Sequence, residues 1–202
     1  MNDYNYENFS TDEYNFDDSK YMEIGSIALN FELETVDGDY NKILDFTDDY
    51  LVLEMGSITC PLFQGRRDSM LKISQDFDNV SFVVLYIREA HPGSFIKSHT
   101  NYNDKKICAT KLKHVDNEKR EIFIDNFDGD AHKSYGSMPD SVFIIDKNKN
   151  IVFRLDWNNP ILVRNAINSL LNNKTVSTKS FFYPVSPFPA LEVLNNAGKD
   201  ST

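Results

Sequence analysis

The run Tyr50-Leu-Val-Leu-Glu-Met55, then Gly56-Ser-Ile-Thr-Cys-Pro-Leu-Phe63, then Val80-Ser-Phe-Val-Val-Leu-Tyr-Ile87 decides the architecture of this chain. The first and last stretches are rich in β-branched, aromatic and aliphatic residues and read as buried strands. Between them Leu62, Met70, Leu71, Ile73 and Phe77 fall mostly at helical spacing among charges. Strand, helix, strand is a βαβ unit, and its crossover is expected to be right-handed with the two strands parallel.

Upstream, Phe31-Glu-Leu-Glu-Thr-Val36 alternates apolar with polar, Asp37-Gly38 supplies a turn, and Lys42-Ile-Leu-Asp-Phe46 resumes, which predicts an N-terminal β-hairpin. Downstream, residues 94–119 predict a helix and Glu121-Ile-Phe-Ile124 a short strand, followed by an acidic loop over 125–130 and a helical turn reaching Tyr135. Val142-Phe-Ile-Ile145 and Ile151-Val-Phe-Arg-Leu155 flank a polar turn and predict a second antiparallel hairpin. Pro160 opens a last helix with apolar positions Ile161, Leu162, Ala166, Ile167, Leu170 and Leu171. Parallel βαβ followed by ββα is the element order of an α/β thioredoxin-like fold, a mixed central sheet flanked by helices.

The chain has 202 residues, 31 acidic and 21 basic, for a net charge of -10. That length suits one domain, here expected over 23–173, and 41% hydrophobic with 13% aromatic residues is enough for a core. A pI near 4.8 argues against non-specific binding to nucleic acid or an anionic membrane, which would need a basic surface, and leaves room only for local basic patches. No apolar run approaches a membrane span, and residues 1–22 lack the basic and apolar regions of a secretory signal, so a cytoplasmic location is expected.

Residues 1–22 hold Asp3, Glu7, Asp12, Glu13, Asp17 and Asp18 against Lys20 alone, with Tyr4, Tyr6, Phe9, Tyr14, Phe16 and Tyr21 interspersed. So many like charges predict a solvated, flexible arm; docking of its aromatics on the domain or a partner is the alternative. The tail over 174–202 carries Pro184, Pro187 and Pro189 with Phe181, Phe182, Tyr183 and Phe188. Its prolines argue against helix, so an extended path over the surface is expected.

Three places carry chemistry. Cys60 follows the carboxyl end of a buried strand where Pro61 opens a helix. Helix N-termini favour thiolate over thiol, and the thiolate is the nucleophile, so a reactive cysteine is expected here. Ser137-Met-Pro-Asp140 precedes a strand, and in a thioredoxin-like domain a proline there is usually cis and sets its neighbouring backbone beside the cysteine. Arg88-Glu-Ala-His-Pro92 follows the next parallel strand, where open α/β sheets place their sites. His91 could move a proton there with Glu89 orienting its ring, or it could simply pack on Pro92.

These stretches resemble the iodothyronine deiodinase family and its microbial relatives. Gly56, Ser57, Thr59, Cys60, Pro61 and Phe63 match the family's nucleophile stretch, and Glu89, Ala90, His91 and Pro92 its Glu-Ala-His-Pro stretch. Tyr135 to Asp146 is similar to its segment around the proline, so the resemblance covers about residues 24–172. It implies a nucleophile at Cys60 assisted by His91 and Glu89. In this chain cysteine stands where animal members have selenocysteine, an acidic arm where they have a membrane anchor, and Ile58 where many have an extra cysteine.

The expectation is a thiol oxidoreductase in which Cys60 attacks a peroxide, a disulfide or a halogen, a general thiol redox or peroxide-reducing role being preferred to deiodination, with Thr59, Phe63, Met138 and Pro139 shaping the substrate site. Phe63 occupies the second position of a would-be Cys-x-x-Cys pair. Cys108 could resolve Cys60 only if the two Cα atoms came within ~7 Å. A buried Cys108 and an external thioredoxin- or glutathione-type reductant are therefore expected, with no cofactor. No metal site is expected: His99 and His114 are far apart, and the loop from Asp125 lacks a calcium loop's closing glutamate, so it is expected to be a solvated acidic loop. Arg66 and Arg67 would serve either the thiolate or the acidic surface, with the surface preferred. The alternative function is a non-catalytic binding module that recruits a partner through its acidic arm and Pro/Phe-rich tail.

Overall fold

The computed structural model describes residues 4–14, 22–176, 187–198 and 200–201. Phe16, Tyr21, and Phe181 to Pro184 of the tail lie outside them.

The N-terminal hairpin is β1 (Glu32–Thr35) and β2 (Tyr40–Lys42), closed at Gly38, whose φ of +94° a side chain would resist; its return strand ends at Lys42, where the apolar pattern places its start. β3 (Tyr50–Gly56), α1 (Pro61–Asp76) and β4 (Val80–Tyr86) form the expected βαβ unit with parallel strands. α2 (Tyr102–His114) opens at Asn101, whose side chain accepts the Asp104 N–H, and leads to β5 (Glu121–Ile124), parallel to β4. The short α3 (Asp130–Ser134) precedes the hairpin β6 (Val142–Asp146) and β7 (Ile151–Leu155). Asn159 caps α4 (Pro160–Leu171), with Pro160 at the first helical position.

The seven strands run in the order β2-β1-β5-β4-β3-β6-β7. β3, β4 and β5 are parallel at the centre, and the outer strands pair antiparallel to them. The central strands read as nearly continuous apolar runs, interrupted by Glu54 in β3 and Ser81 in β4, because both sheet faces are covered. Leu51, Leu53 and Met55 share one face with Val83, Leu85, Phe143 and Tyr135. On the other, Val52 packs with Met70 and Ile73 of α1 and with Val163 and Ile167 of α4. Nearer the carboxyl ends, Val84 and Tyr86 pack with Phe63, Ala109 and Leu112. Gly56 pairs with Tyr86, so the chain leaves β3 and β4 side by side, into the Cys60 turn and the Arg88–Pro92 loop.

Three expectations are corrected. The tail is not extended where it is described: α5 (Pro187–Ala197) packs against α1. Pro187 and Pro189 fall in its first turn, where backbone N–H groups lack helical partners anyway, so they open the helix rather than forbid it. Nor is the arm simply solvated over its described residues 4–14, where Tyr4, Tyr6 and Tyr14 are buried on the domain. The loop after β5 is not merely a solvated acidic turn. Asp125 is fully buried and accepts the N–H groups of Asn126, Ala131 and His132, capping the start of α3.

Candidate active site

Cys60 is the N-cap of α1 at the carboxyl end of β3, and Pro61 begins the helix as expected. Its surroundings reverse the expected pKa shift. Burial, with 2% of the residue exposed, pushes the thiol well above its ordinary range, and the Asp140 charge adds to that. The N–H groups of Phe63 and Leu62 and the Arg66 guanidinium pull the other way without winning. In this closed arrangement Cys60 is a protonated thiol at neutral pH.

Arg66 is itself buried and pairs with Asp140 at 2.5 Å, one residue past Pro139. It serves neither the acidic surface nor open solvent: it balances a buried carboxylate beside the thiol. Arg67 instead donates to the Asp116 carbonyl. Met138 and Pro139 are buried, but the bond between them is trans, as is every peptide bond among the described residues. The turn is made at Ser137, whose φ of +61° redirects the chain before the proline.

Glu89 is fully enclosed and its carboxylate is saturated with donors. The Thr59 hydroxyl reaches Oε2 at 2.6 Å and the Thr59 N–H at 3.1 Å. The Tyr86 hydroxyl donates to Oε1, and His99 Nε2 lies 3.1 Å from the same oxygen. Burial alone would raise the Glu89 pKa, but His99, Thr59 and Tyr86 outweigh it and hold the carboxyl below its ordinary value. The residue that Glu89 orients is therefore His99 rather than His91. The sequence reading weighed His99 only as a metal ligand and set it aside for its distance from His114, and only its meeting with Tyr86 and Glu89 in the fold shows what it does.

His91 is half-buried at the rim. Its backbone N–H donates to Thr59 Oγ1 at 3.1 Å, and the Ala90 N–H donates to Ser57 Oγ at 3.2 Å. The Glu-Ala-His loop is thus hooked onto both residues that lead into Cys60. Thr59 acts as a brace between Glu89 and His91. Phe63 is a core residue: it is fully buried, and its ring fills the space a side chain at Gly56 would need.

Cys108 is half-buried rather than buried, and neither it nor the buried Cys60 is in a disulfide. It approaches Glu89, and burial followed by the Glu89 charge pushes its thiol up. Donor atoms of Glu89, His99 and Cys108 lie within 4.8 Å of one another, a grouping that sequence reasoning missed. Glu89 and His99 are already bonded to each other, so a cation there would displace their bond.

The βαβ-ββα order, the helix-capping cysteine and the loop beside it define a thioredoxin-like protein with a single cysteine at the customary place. The family model described as iodothyronine deiodinase matches residues 5–156, and the chain belongs to that family of oxidoreductases. The match begins inside the N-terminal arm. The thyroxine 5-deiodinase of Gallus gallus is 30% identical over 142 residues, covering 64% of this chain and 55% of that protein. The type II iodothyronine deiodinase of Sus scrofa is 30% identical over 133 residues, 57% of this chain and 49% of that protein. The chain spans about half the length of these relatives. An uncharacterized conserved protein from Geobacillus kaustophilus has the same fold, with a TM-score of 0.66 at 18% identity over 79% of this chain and 87% of its own. So does a peroxiredoxin-like protein from Aquifex aeolicus, at 0.57 and 15% over 74% and 88%.

Proposed function

We propose that the chain is a cysteine-dependent reductase whose nucleophile is Cys60 and whose first reaction is reductive dehalogenation of an iodinated aromatic compound. Family membership supports the reaction class. The observation that carries the residue assignment is the bracing of the Cys60 turn: Thr59 and Ser57, on its approach, hold the Glu89–His91 loop beside the sulfur.

The chemistry follows from the neighbours. Once substrate displaces the cover over Cys60 and the thiol loses its proton, the Leu62 and Phe63 N–H groups and Arg66 are placed to stabilise the thiolate. The sulfur attacks iodine, forming an S–I bond while the electron pair of the broken C–I bond stays on carbon. That carbon takes up a proton, so the aryl iodide becomes the aryl hydride and Cys60 a sulfenyl iodide. His91 stands at the rim to pass the proton, its backbone held by Thr59, which Glu89 fixes in turn. An external thiol then attacks the Cys60 sulfur, iodide leaves with the S–I pair, and a second thiol exchange releases a disulfide and restores Cys60. A thioredoxin- or glutathione-type reductant fits this need, because Phe63 replaces the partner cysteine of a dithiol pair.

Peroxide and disulfide reduction share the first step, with oxygen or sulfur in place of iodine. Iodide release with excess dithiothreitol, and single-turnover peroxide or disulfide loss by the pre-reduced protein without it, separate the three. Iodide release that disappears in Cys60→Ser supports the reading; a Cys60→Ser protein with full activity ends it. The binding-module alternative loses ground because the arm's tyrosines are packed on their own domain rather than displayed.

A further inference from the structure

We propose that residues 4–14 form a gate over the catalytic loop, with Tyr6, Phe9 and Tyr14 deciding by size which substrates reach Cys60. The inference rests on Cys60 being the reacting thiol.

The arm docks on the elements that frame Cys60. Arg88 is its anchor: the guanidinium lies over the rings of Tyr4, Tyr6 and Tyr14, with carbon-to-centroid distances of 5.1, 4.6 and 5.0 Å. Arg88 also donates to the Tyr4 and Glu13 carbonyls at 2.7 and 3.0 Å. One residue past Glu89, the Tyr6 hydroxyl donates to the Ala90 carbonyl at 2.7 Å and meets the Tyr14 hydroxyl at 2.5 Å. Next to that, the Phe9 ring stacks on His91, 4.1 Å between centroids and 25° between planes. The face of His91 that a flat substrate ring would use is therefore already occupied.

On the other flank, the Tyr4 hydroxyl lies 2.8 Å from His132 Nδ1, and His132 Nε2 lies 2.9 Å from the Met138 carbonyl. One strap thus reaches both motifs that flank the thiol. The body is shaped to receive it: Gly129, at a φ of +73°, leaves the space that the Tyr4 ring fills, and any side chain there would collide with it. Tyr6 and Tyr14 are near enough to Cys60 to feel the charge its thiolate would carry.

The contacts are of the kind that release. None of the three tyrosines belongs to an apolar core cluster. They are held by ring and cation contacts and by hydrogen bonds to Arg88, Ala90, His132 and one another, and such peripheral segments open at lower cost than a packed core. A compact reagent would need only a partial opening to reach Cys60, whereas one built on aromatic rings would need Phe9 to leave His91 and Tyr6 to leave Ala90.

The test uses the full chain and reads modification of Cys60 by peptide mass. Iodoacetamide is the small reagent and 5,5′-dithiobis(2-nitrobenzoate) the bulky one, each applied to wild type, Tyr6→Ala and Phe9→Ala. Both variants should speed the bulky reagent by about tenfold, the factor that ~1.4 kcal/mol of lost docking energy gives in an opening equilibrium. Iodoacetamide should gain less. Equal gains for the two reagents, or unchanged bulky labelling in folded variants, would overturn the gate. If Tyr6→Ala fails to fold, Phe9→Ala still decides, because Phe9 is only half-buried at the arm's tip. Size-dependent labelling in a protein without turnover would keep the gate and retire the reductase reading; turnover without it would do the reverse.

Discussion

Cys60 sits where a helix terminus should lower its pKa, yet burial and Asp140 together overcome the N–H groups of Leu62 and Phe63 and the nearby Arg66. Because the raised pKa keeps the folded-state thiol protonated, alkylation of Cys60 in the wild-type chain should still be climbing with pH above ~8.5, where an ordinary thiol is half ionised. A pH series of iodoacetamide labelling checks this, and a plateau near pH 7 would contradict it. Glu89 runs the other way. Its folded pKa is depressed, so the stability it gives is present above its unfolded value and lost as the pH falls through the lower folded one. Glu89→Gln keeps the shape but removes the charge facing Thr59, Tyr86 and His99. We expect turnover to fall by about 10²-fold, the scale of assisted proton transfer, with little change in melting temperature at acid pH. The cysteine, its capping role and the two motifs were legible in the sequence. The partners of Glu89 were not, because Tyr86, Thr59 and His99 come from three separate segments.

Among the elements, strands and helices with a strong period were readable: the βαβ unit, the second hairpin and α4 lie where their apolar patterns put them, whereas the first hairpin returns earlier than Ile43, Leu44 and Phe46 suggested. The misread element is α5, where proline was taken as a breaker although position in the first turn reverses its meaning. The arm was misread because charge was weighed over its aromatics, and the decisive partner, Arg88, lies in a distant loop. Close packing between β3 and α1 gives a test at this scale. Gly56→Ala would drive a methyl into the Phe63 ring and should cost about 1–3 kcal/mol in denaturant unfolding, the usual penalty for overpacking. The link from arm to domain also depends on pH. Burial, followed by the Arg88 charge, depresses the His132 pKa to about 3, while Lys105 and Lys133 press the same way. The neutral ring's contribution is complete above its unfolded pKa of ~6.5 and drains away as the pH falls toward the folded value. Tyr4 fluorescence or amide exchange in the arm should report loosening below pH 6 before the core melts.

Over the whole molecule, both ends of the chain converge on one loop. The arm holds residues 88–91, while α5 and its following turn hold 91–96. The Phe95 and Ile96 N–H groups donate to the Ala197 carbonyl, and Ser201 Oγ donates to the His91 carbonyl at 2.9 Å. Gly93 admits the close approach of Ala197 that this clamp requires. No helix among the described residues is long and apolar enough to cross a membrane. Buried ion pairs stiffen the sheet behind the site, Glu54 with Arg120 and Arg66 with Asp140. Removing one partner should be costly: Arg66→Ala leaves Asp140 buried and unbalanced, and a loss of about 3–5 kcal/mol in chemical denaturation is expected. The central claim is that the loop clamped at both ends serves one thiol. The most direct measurement is single-turnover iodide release from an iodinated phenol, comparing wild type with Cys60→Ser and Cys108→Ser at matched folded fraction. The account predicts release in wild type and in Cys108→Ser, none in Cys60→Ser, and covalent modification at Cys60 when the reductant is withheld. Release that survives Cys60→Ser, or that depends on Cys108 instead, would contradict it.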